Sequence, residues 1–387
     1  MSMQKQERRI ISLAIMGICF ASMYWNDGIN DFIYDRYKHI GNITIICSVI
    51  TFFCSSMLSV ANIIVMYIPR SKIIKCFKNL LLICALLAIL IGFTVQFNHI
   101  FIFILMYFVF DLVFEILSVL HYGYEVVATE DDRLIHVENK RKIGFFMVKG
   151  SFVLICNFLF VQLGNLGFLI ACIASSITFI VIYFIQQNIS YVNIKPDVKN
   201  DNIIQKFNLR KYSKNFKLFV VASIFIQFST INLVMIFSYH LMDSGMEFST
   251  LKITKSITVL IAILAFFVIE ILNKYKKILF GYVLSLFIVL ILSILNVSSI
   301  FMLAILFGAI SFQGMLACPA RYFLLANDSY MEENIQKDAI LNIISNIGGI
   351  LSSTLLLVPF RLAIFMTSIS LLIAIISIFY IFKTRLR

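Results

Sequence analysis

Residues 39–72 read HIGNITIICSVITFFCSSMLSVANIIVMYIPRSK, and residues 243–276 read DSGMEFSTLKITKSITVLIAILAFFVIEILNKYK. The first stretch holds no charged side chain from Asn42 to Pro69. A helix needs about 20 apolar residues to cross a bilayer, and this run exceeds that. It ends in a basic turn at Arg70 and Lys72. The second stretch repeats the plan 204 residues later, with Gly245 in the place of Gly41 and Lys274 in the place of Arg70. Each copy is a turn glycine, a long apolar span and a basic turn. Two copies of one unit, half a chain apart, describe an all-α polytopic membrane protein built as two similar halves.

Composition agrees. Of 387 residues, 61% are hydrophobic and 13% are charged, about half the charge of a soluble domain. Apolar runs near 10–34, 42–68, 79–96, 100–121, 143–163, 165–186, 216–240, 249–271, 278–295, 298–320, 339–358 and 361–382 predict twelve transmembrane helices in two six-helix bundles. The first follows MSMQKQERR directly with no small-residue cleavage site. It is therefore expected to be a retained helix rather than a signal peptide. The polar, basic, Asn-rich stretch between spans six and seven reads as a linker. The expected domains are 1–190, a linker at 191–215, and 216–387.

Basic residues set the expected orientation. With the N-terminus inside, 26 of the 32 Lys and Arg residues fall in cytoplasmic segments or at their edges. Both termini are then cytoplasmic in a multi-pass protein of the cell membrane. The net charge of +12 is spread over short loops, the pattern of an orientation signal rather than a nucleic-acid face. The eight cysteines are scattered and predict neither a disulfide framework nor a metal site. No cofactor is expected. No HExxH, GxSxG or Walker A pattern occurs, so an enzyme is not expected.

Ionisable residues inside a bilayer are costly and tend to face a cavity or a partner. The repeat places Asp27 and Asp31 opposite Ile231 and Met235 of an apolar span, which carries span one on through both aspartates. Asp111 and Glu115 sit one turn apart in span four, and Lys149 lies in span five. At 1.5 Å per residue, Glu115 and Lys149 reach the same depth on antiparallel neighbours, predicting an ion pair there. The second half offers polar candidates instead: Gln227, Asn232 and Gln313, with Asn342 and Asn346 in span eleven. Lys252 and Lys255, near the start of span eight, are expected to snorkel to the headgroups. The histidines are expected at loops or interfaces.

Twelve spans, a six-plus-six division and a basic central loop resemble the major facilitator superfamily across nearly the whole chain. In that family the turn after span two carries an acidic residue before its basic end. Here Arg70 and Lys72 keep the basic end while Met66 holds the acidic position; the second-half turn keeps Glu270 ahead of Lys274. The segment ATEDDRLIHVEN, Ala128–Asn139, is similar to a loop of the drug, macrolide and siderophore exporters. The spacing from Asp27 to Gly41 resembles that of a span-one aspartate in drug exporters. The resemblance implies a secondary active transporter, a proton-coupled exporter of a small amphipathic or cationic compound, functional as a monomer in the lipid bilayer. An acidic first half disfavours a simple anion importer. A nutrient importer of the same fold, or a non-transporting immunity or sensor protein on this scaffold, are the other readings.

Overall fold

The computed structural model describes residues 33–35, 37–39, 41–96, 100–128, 155, 158–159, 162–187, 213–255, 257–258, 275–295, 299–325 and 334–385. Ten α-helices are defined among them: α1 (Ile43–Met66), α2 (Arg70–Gln96), α3 (Ile100–Ala128), α4 (Asn165–Gln186), α5 (Lys214–Thr230), α6 (Leu233–Asp243), α7 (Tyr275–Leu295), α8 (Ile300–Leu325), α9 (Asn334–Ser352) and α10 (Phe360–Arg385). Six described segments are long and apolar enough to cross a membrane, and three shorter apolar helices add to them. Residues 248–255 are also helical.

Most spans lie where the apolar runs place them. Two proline boundaries show why. Pro69 and Pro359 immediately precede the first residues of α2 and α10, and their carbonyls accept from Lys72 and Leu362 at 2.9 Å. A proline fits a helix start because the N–H it lacks would be unpaired there anyway. Helix α2 therefore begins at Arg70, nine residues ahead of the expected 79, and Lys72, Lys75 and Lys78 ride on its first turns instead of a loop. The two copies of the repeat also turn differently. In the second, Gly245 takes the left-handed conformation with φ 97°; in the first, Asn42 does so with φ 71°, next to Gly41. Asparagine is among the few residues that tolerate that region.

Span seven forms one apolar segment from Lys214 to Asp243 but carries a local break, where the turn residues Ile231 and Asn232 separate α5 from α6. The Ser229 and Thr230 hydroxyls donate back to the carbonyls of Phe225 and Ile226 at 2.6 and 2.8 Å, a pattern that bends helices. Span eleven also loses α geometry, as a 3-10 turn at Ser353–Leu356 follows α9. There Ser352, Ser353 and Thr354 donate to carbonyls three residues back at 2.6–2.7 Å.

The chain divides into two compact units. Described residues between 60 and 187 form one, in which α2 packs on α3 and α4. Helix α4 buries Phe168, Ala171, Cys172, Ser175, Ser176 and Phe179 and exposes Leu166, Ile170, Ile173, Ile177 and Phe184. That leaves an apolar stripe of the kind lipid covers. The other unit holds the described residues at 33–59 and 213–385. In it α5 packs on α9 and α10, and α7 on α8 and α10. At the α5–α9 crossing, a Cβ on Gly348 would collide with the carbonyl oxygen of Ile224. Small residues at crossings let membrane helices approach closely.

Candidate functional site

In the first unit the described acidic candidates belong to α3. Tyr107, Phe110, Phe114 and Leu117 make its buried stripe, with Phe114 edge-on to Phe179 of α4. Asp111 shares this buried side and is only 3% exposed; Glu115, one turn on, is half-buried. The carboxylates are close enough to repel one another. Further along the helix, His121 is also buried and faces the Phe77 ring at 5.8 Å. It lies inside the unit rather than in a loop. Lys149 and hence its expected pairing with Glu115 lie outside the described residues, as do Asp27 and Asp31.

In the second unit the polar candidates separate into two places. Asn232 is fully buried at the break between α5 and α6. Its amide donates to Ser352 Oγ at 2.7 Å, while its Oδ1 is buried with no hydrogen-bond donor. Ser48 of α1 donates to the Ser353 carbonyl at 2.8 Å. Asn346 of α9 donates to Ser59 Oγ at 2.9 Å and to the carbonyl of Ser55. A hydroxyl- and amide-lined seam thus runs along α9 within this unit. Gln227, one turn ahead of the break, is half-buried. Gln313 stands elsewhere, donating from α8 to the Tyr282 hydroxyl of α7 at 3.2 Å.

The two basic turns singled out in the sequence are described in part. Arg70 is the first residue of α2 and Lys72 is exposed on its first turn. Glu270 and Lys274 lie outside the described residues.

Sequence reasoning misplaced two residues. Lys252 and Lys255 do not snorkel: they are 2% and 4% exposed. On the same helical segment Ile253 and Ile257 are 50% and 49% exposed, so the lysines share the buried face with Leu251 and Thr258. Lys252 Nζ lies 5.2 Å from the centre of the Phe248 ring, and Lys255 Nζ 6.0 Å from that of Phe307 on α8. The i, i+3 spacing within KITK was the available signal, because it puts both ammonium groups on one side of a helix. It does not say which side faces the protein.

No protein-family model matches the sequence, and no curated protein matches it. Solved structures match along its whole length. The nucleoside transporter NupG is 12% identical with a TM-score of 0.62, covering 98% of this chain and 99% of that one. A bacterial homologue of the iron transporter ferroportin is 12% identical in an inward-facing state and 11% in an outward-facing state. Both states give a TM-score of 0.61 and cover 98% of this chain and 99% of the other. The chain has the fold of these transporters. It is all-α, and twelve membrane helices are compatible with it. At this identity the likeness speaks to fold, and the equal scores favour neither state of the ferroportin homologue.

Proposed function

We propose that this chain is a secondary active transporter that works by alternating access and exports a small amphipathic or cationic compound in exchange for protons. The observation that carries the reading is the burial of Asp111 inside a membrane-spanning helix, with Glu115 one turn away. A carboxyl held out of water is costly as a bare anion. Exchange of a proton for a cationic cargo at such a carboxyl couples their gradients. The fold supports the reading, because the structures it matches are a nucleoside transporter and a homologue of an iron transporter. In such folds two bundles rock about a central site. In this scheme the bundles are 1–190 and 216–387, joined by the linker at 191–215. Asp27, Asp31 and Lys149 extend the charged site, and Gln227, Asn232 and Gln313 contribute polar contacts. Arg70, Lys72, Glu270 and Lys274 serve the gating turns. The protein acts as a monomer in the cell membrane with both termini in the cytoplasm.

The test is accumulation of cationic and amphipathic compounds in cells with and without the protein, each with and without a protonophore. Export predicts lower accumulation when the protein is present, and loss of that difference when the proton gradient collapses. Accumulation that rises with the protein, or a difference that survives the protonophore, overturns the reading.

A further inference from the structure

Two spans of the second unit bring cations together at one membrane surface. Helix α5 begins there with Lys214, and α10 ends there with Tyr380 and Lys383 in its last turns. The two helices pack on one another. Lys214 Nζ donates to the Tyr380 hydroxyl at 3.0 Å and lies 4.9 Å from the centre of that ring. Lys383 lies three residues beyond Tyr380, on the same side of the helix, and is exposed. Neither helix contains an acidic residue. At the opposite end of the unit the described charges are mixed. There Asp35 pairs with Lys38 at 3.3 Å, and Asp243 accepts from Tyr34 at 2.7 Å.

Basic residues at span ends set topology by their number alone. The arrangement here is more particular. The phenol oxygen accepts from Lys214, so its own hydrogen is left to donate outward. Two ammonium groups and a phenol, drawn from two helices, thus offer donors, and none brings an ionised acceptor. The partial positive charge at the start of α5 adds to the same field. Such a cluster suits the oxygens of a phosphate. The surface beside it is apolar. Phe365, Ile369, Leu372, Ile376 and Phe379 are exposed at helical spacing along α10 and lead up to Tyr380, itself 44% exposed. A hydrocarbon chain fits that stripe, and a headgroup joined to it then lies among the donors.

We propose that Lys214, Tyr380 and Lys383 form a binding site for the headgroup of an anionic phospholipid, whose acyl chain lies along the exposed stripe of α10. The site requires only that α5 and α10 reach a bilayer surface. It therefore stands apart from the cargo and the direction of transport.

The experiment uses the full chain purified in a neutral detergent and follows thermal unfolding at constant ionic strength. The probes are dioctanoyl phosphatidylglycerol, dioctanoyl phosphatidylcholine and glycerol 3-phosphate. The two lipids share their tails and differ in net charge, and the third probe carries the phosphate without tails. Phosphatidylglycerol is expected to raise the midpoint, and at the same concentration the other two are not. Its half-saturating concentration should rise about fivefold in K214Q and in K383Q, the scale for one basic residue at an anionic membrane surface. Y380F keeps the ring and loses the donor, and a rise of about threefold is expected. K214R retains the response. K75Q removes one exposed cation from α2 in the first unit and leaves the response unchanged. All of these side chains are exposed, so each variant is expected to fold. Equal stabilisation by phosphatidylcholine, an unchanged response in the K214Q/K383Q double variant, or an equal loss in K75Q overturns the proposal. Glycerol 3-phosphate acting as strongly as phosphatidylglycerol assigns the cluster to a free phosphate and also overturns it.

Discussion

The side-chain amide of Asn232 donates to the hydroxyl of Ser352 across 2.7 Å. The bond joins two places in the second unit where a described span leaves α geometry. Asn232 lies at the gap between α5 and α6, and Ser352 caps the 3-10 turn that ends span eleven. Ser352 passes the bond on, donating to the Gly349 carbonyl at 2.6 Å. Broken helices in transporters are tolerated where polar groups satisfy the freed backbone, and here the two breaks are tied to each other.

That tie is measurable. Ser352→Ala strands the Asn232 amide in a dry interior, which costs about 1–3 kcal/mol. Asn232→Ala removes an amide whose Oδ1 has no donor, so its hydrogen-bond loss is smaller than that of Ser352→Ala. The double variant should be more stable than the sum of the two single changes predicts. The coupling should be on the order of 0.6–1.7 kcal/mol, the range for interhelical hydrogen bonds in membranes. Thermal unfolding of the four proteins in detergent completes the cycle. Strictly additive losses would show that the bond contributes nothing.

Gly348 gives a steric prediction. A methyl group there meets the Ile224 carbonyl oxygen, backbone that cannot rotate away. Alanine raises intrinsic helix propensity by about 1 kcal/mol over glycine, yet Gly348→Ala should destabilise the protein because α5 and α9 must separate. Overpacking costs about 1–3 kcal/mol. A lowered unfolding midpoint is expected, and a raised one would show that the crossing is looser than drawn.

Much of this architecture is legible in the chain because apolar length and proline position act locally. The run from Asn42 to Pro69 spans a bilayer wherever it is placed, and Pro359 starts α10 on its own. Asp111 is legible for the same reason, since a carboxylate inside an apolar run has few places to go. The break at Asn232 is harder to see. Its signal is the hydroxyl pair Ser229–Thr230 followed by an asparagine, and back-bonding competes with helix only when tertiary contacts reward the bend. The burial of Lys252 and Lys255 is hidden for a different reason. A lysine near a span end reaches water or turns inward depending on which face its neighbours cover. That depends on Phe307, 52 residues away from Lys255 in sequence. Asn346 stands out as a polar residue in an apolar span, but its partners Ser55 and Ser59 are far away along the chain and no local pattern points to them.

Tyr34 makes two separable interactions in the second unit. Its hydroxyl donates to Asp243 Oδ1 at 2.7 Å, and its ring stacks on Tyr239 with centroids 4.0 Å apart and planes 7° from parallel. Tyr34→Phe removes the first and keeps the second. Asp243 is exposed, so water replaces the donor and the loss should stay below about 1.5 kcal/mol. Tyr34→Ala also removes the stacked pair and its buried area, adding about 3 kcal/mol for an aromatic truncation. Unfolding midpoints should fall in the order wild type, Y34F, Y34A, with the larger step second. A larger first step would place the stability in the hydrogen bond.

The buried acidic pair gives the prediction closest to function. Asp111→Asn keeps shape and hydrogen-bonding capacity but cannot bind or release a proton. If Asp111 carries the coupling proton, exchange of labelled substrate across vesicles continues without a gradient, while gradient-driven accumulation falls at least about tenfold, the scale of 1.4 kcal/mol in coupling. Glu115→Gln should have a smaller effect, because Glu115 is half-buried where Asp111 is almost wholly enclosed. Relief of repulsion from Asp111 should also make the protein more stable, since like charges one turn apart destabilise a helix. A purely structural role for Asp111 predicts the opposite pattern. Exchange and accumulation would then fall together, in proportion to the folded protein recovered. Measuring both on the same vesicle preparation separates the two, and parallel losses would remove Asp111 from the coupling mechanism.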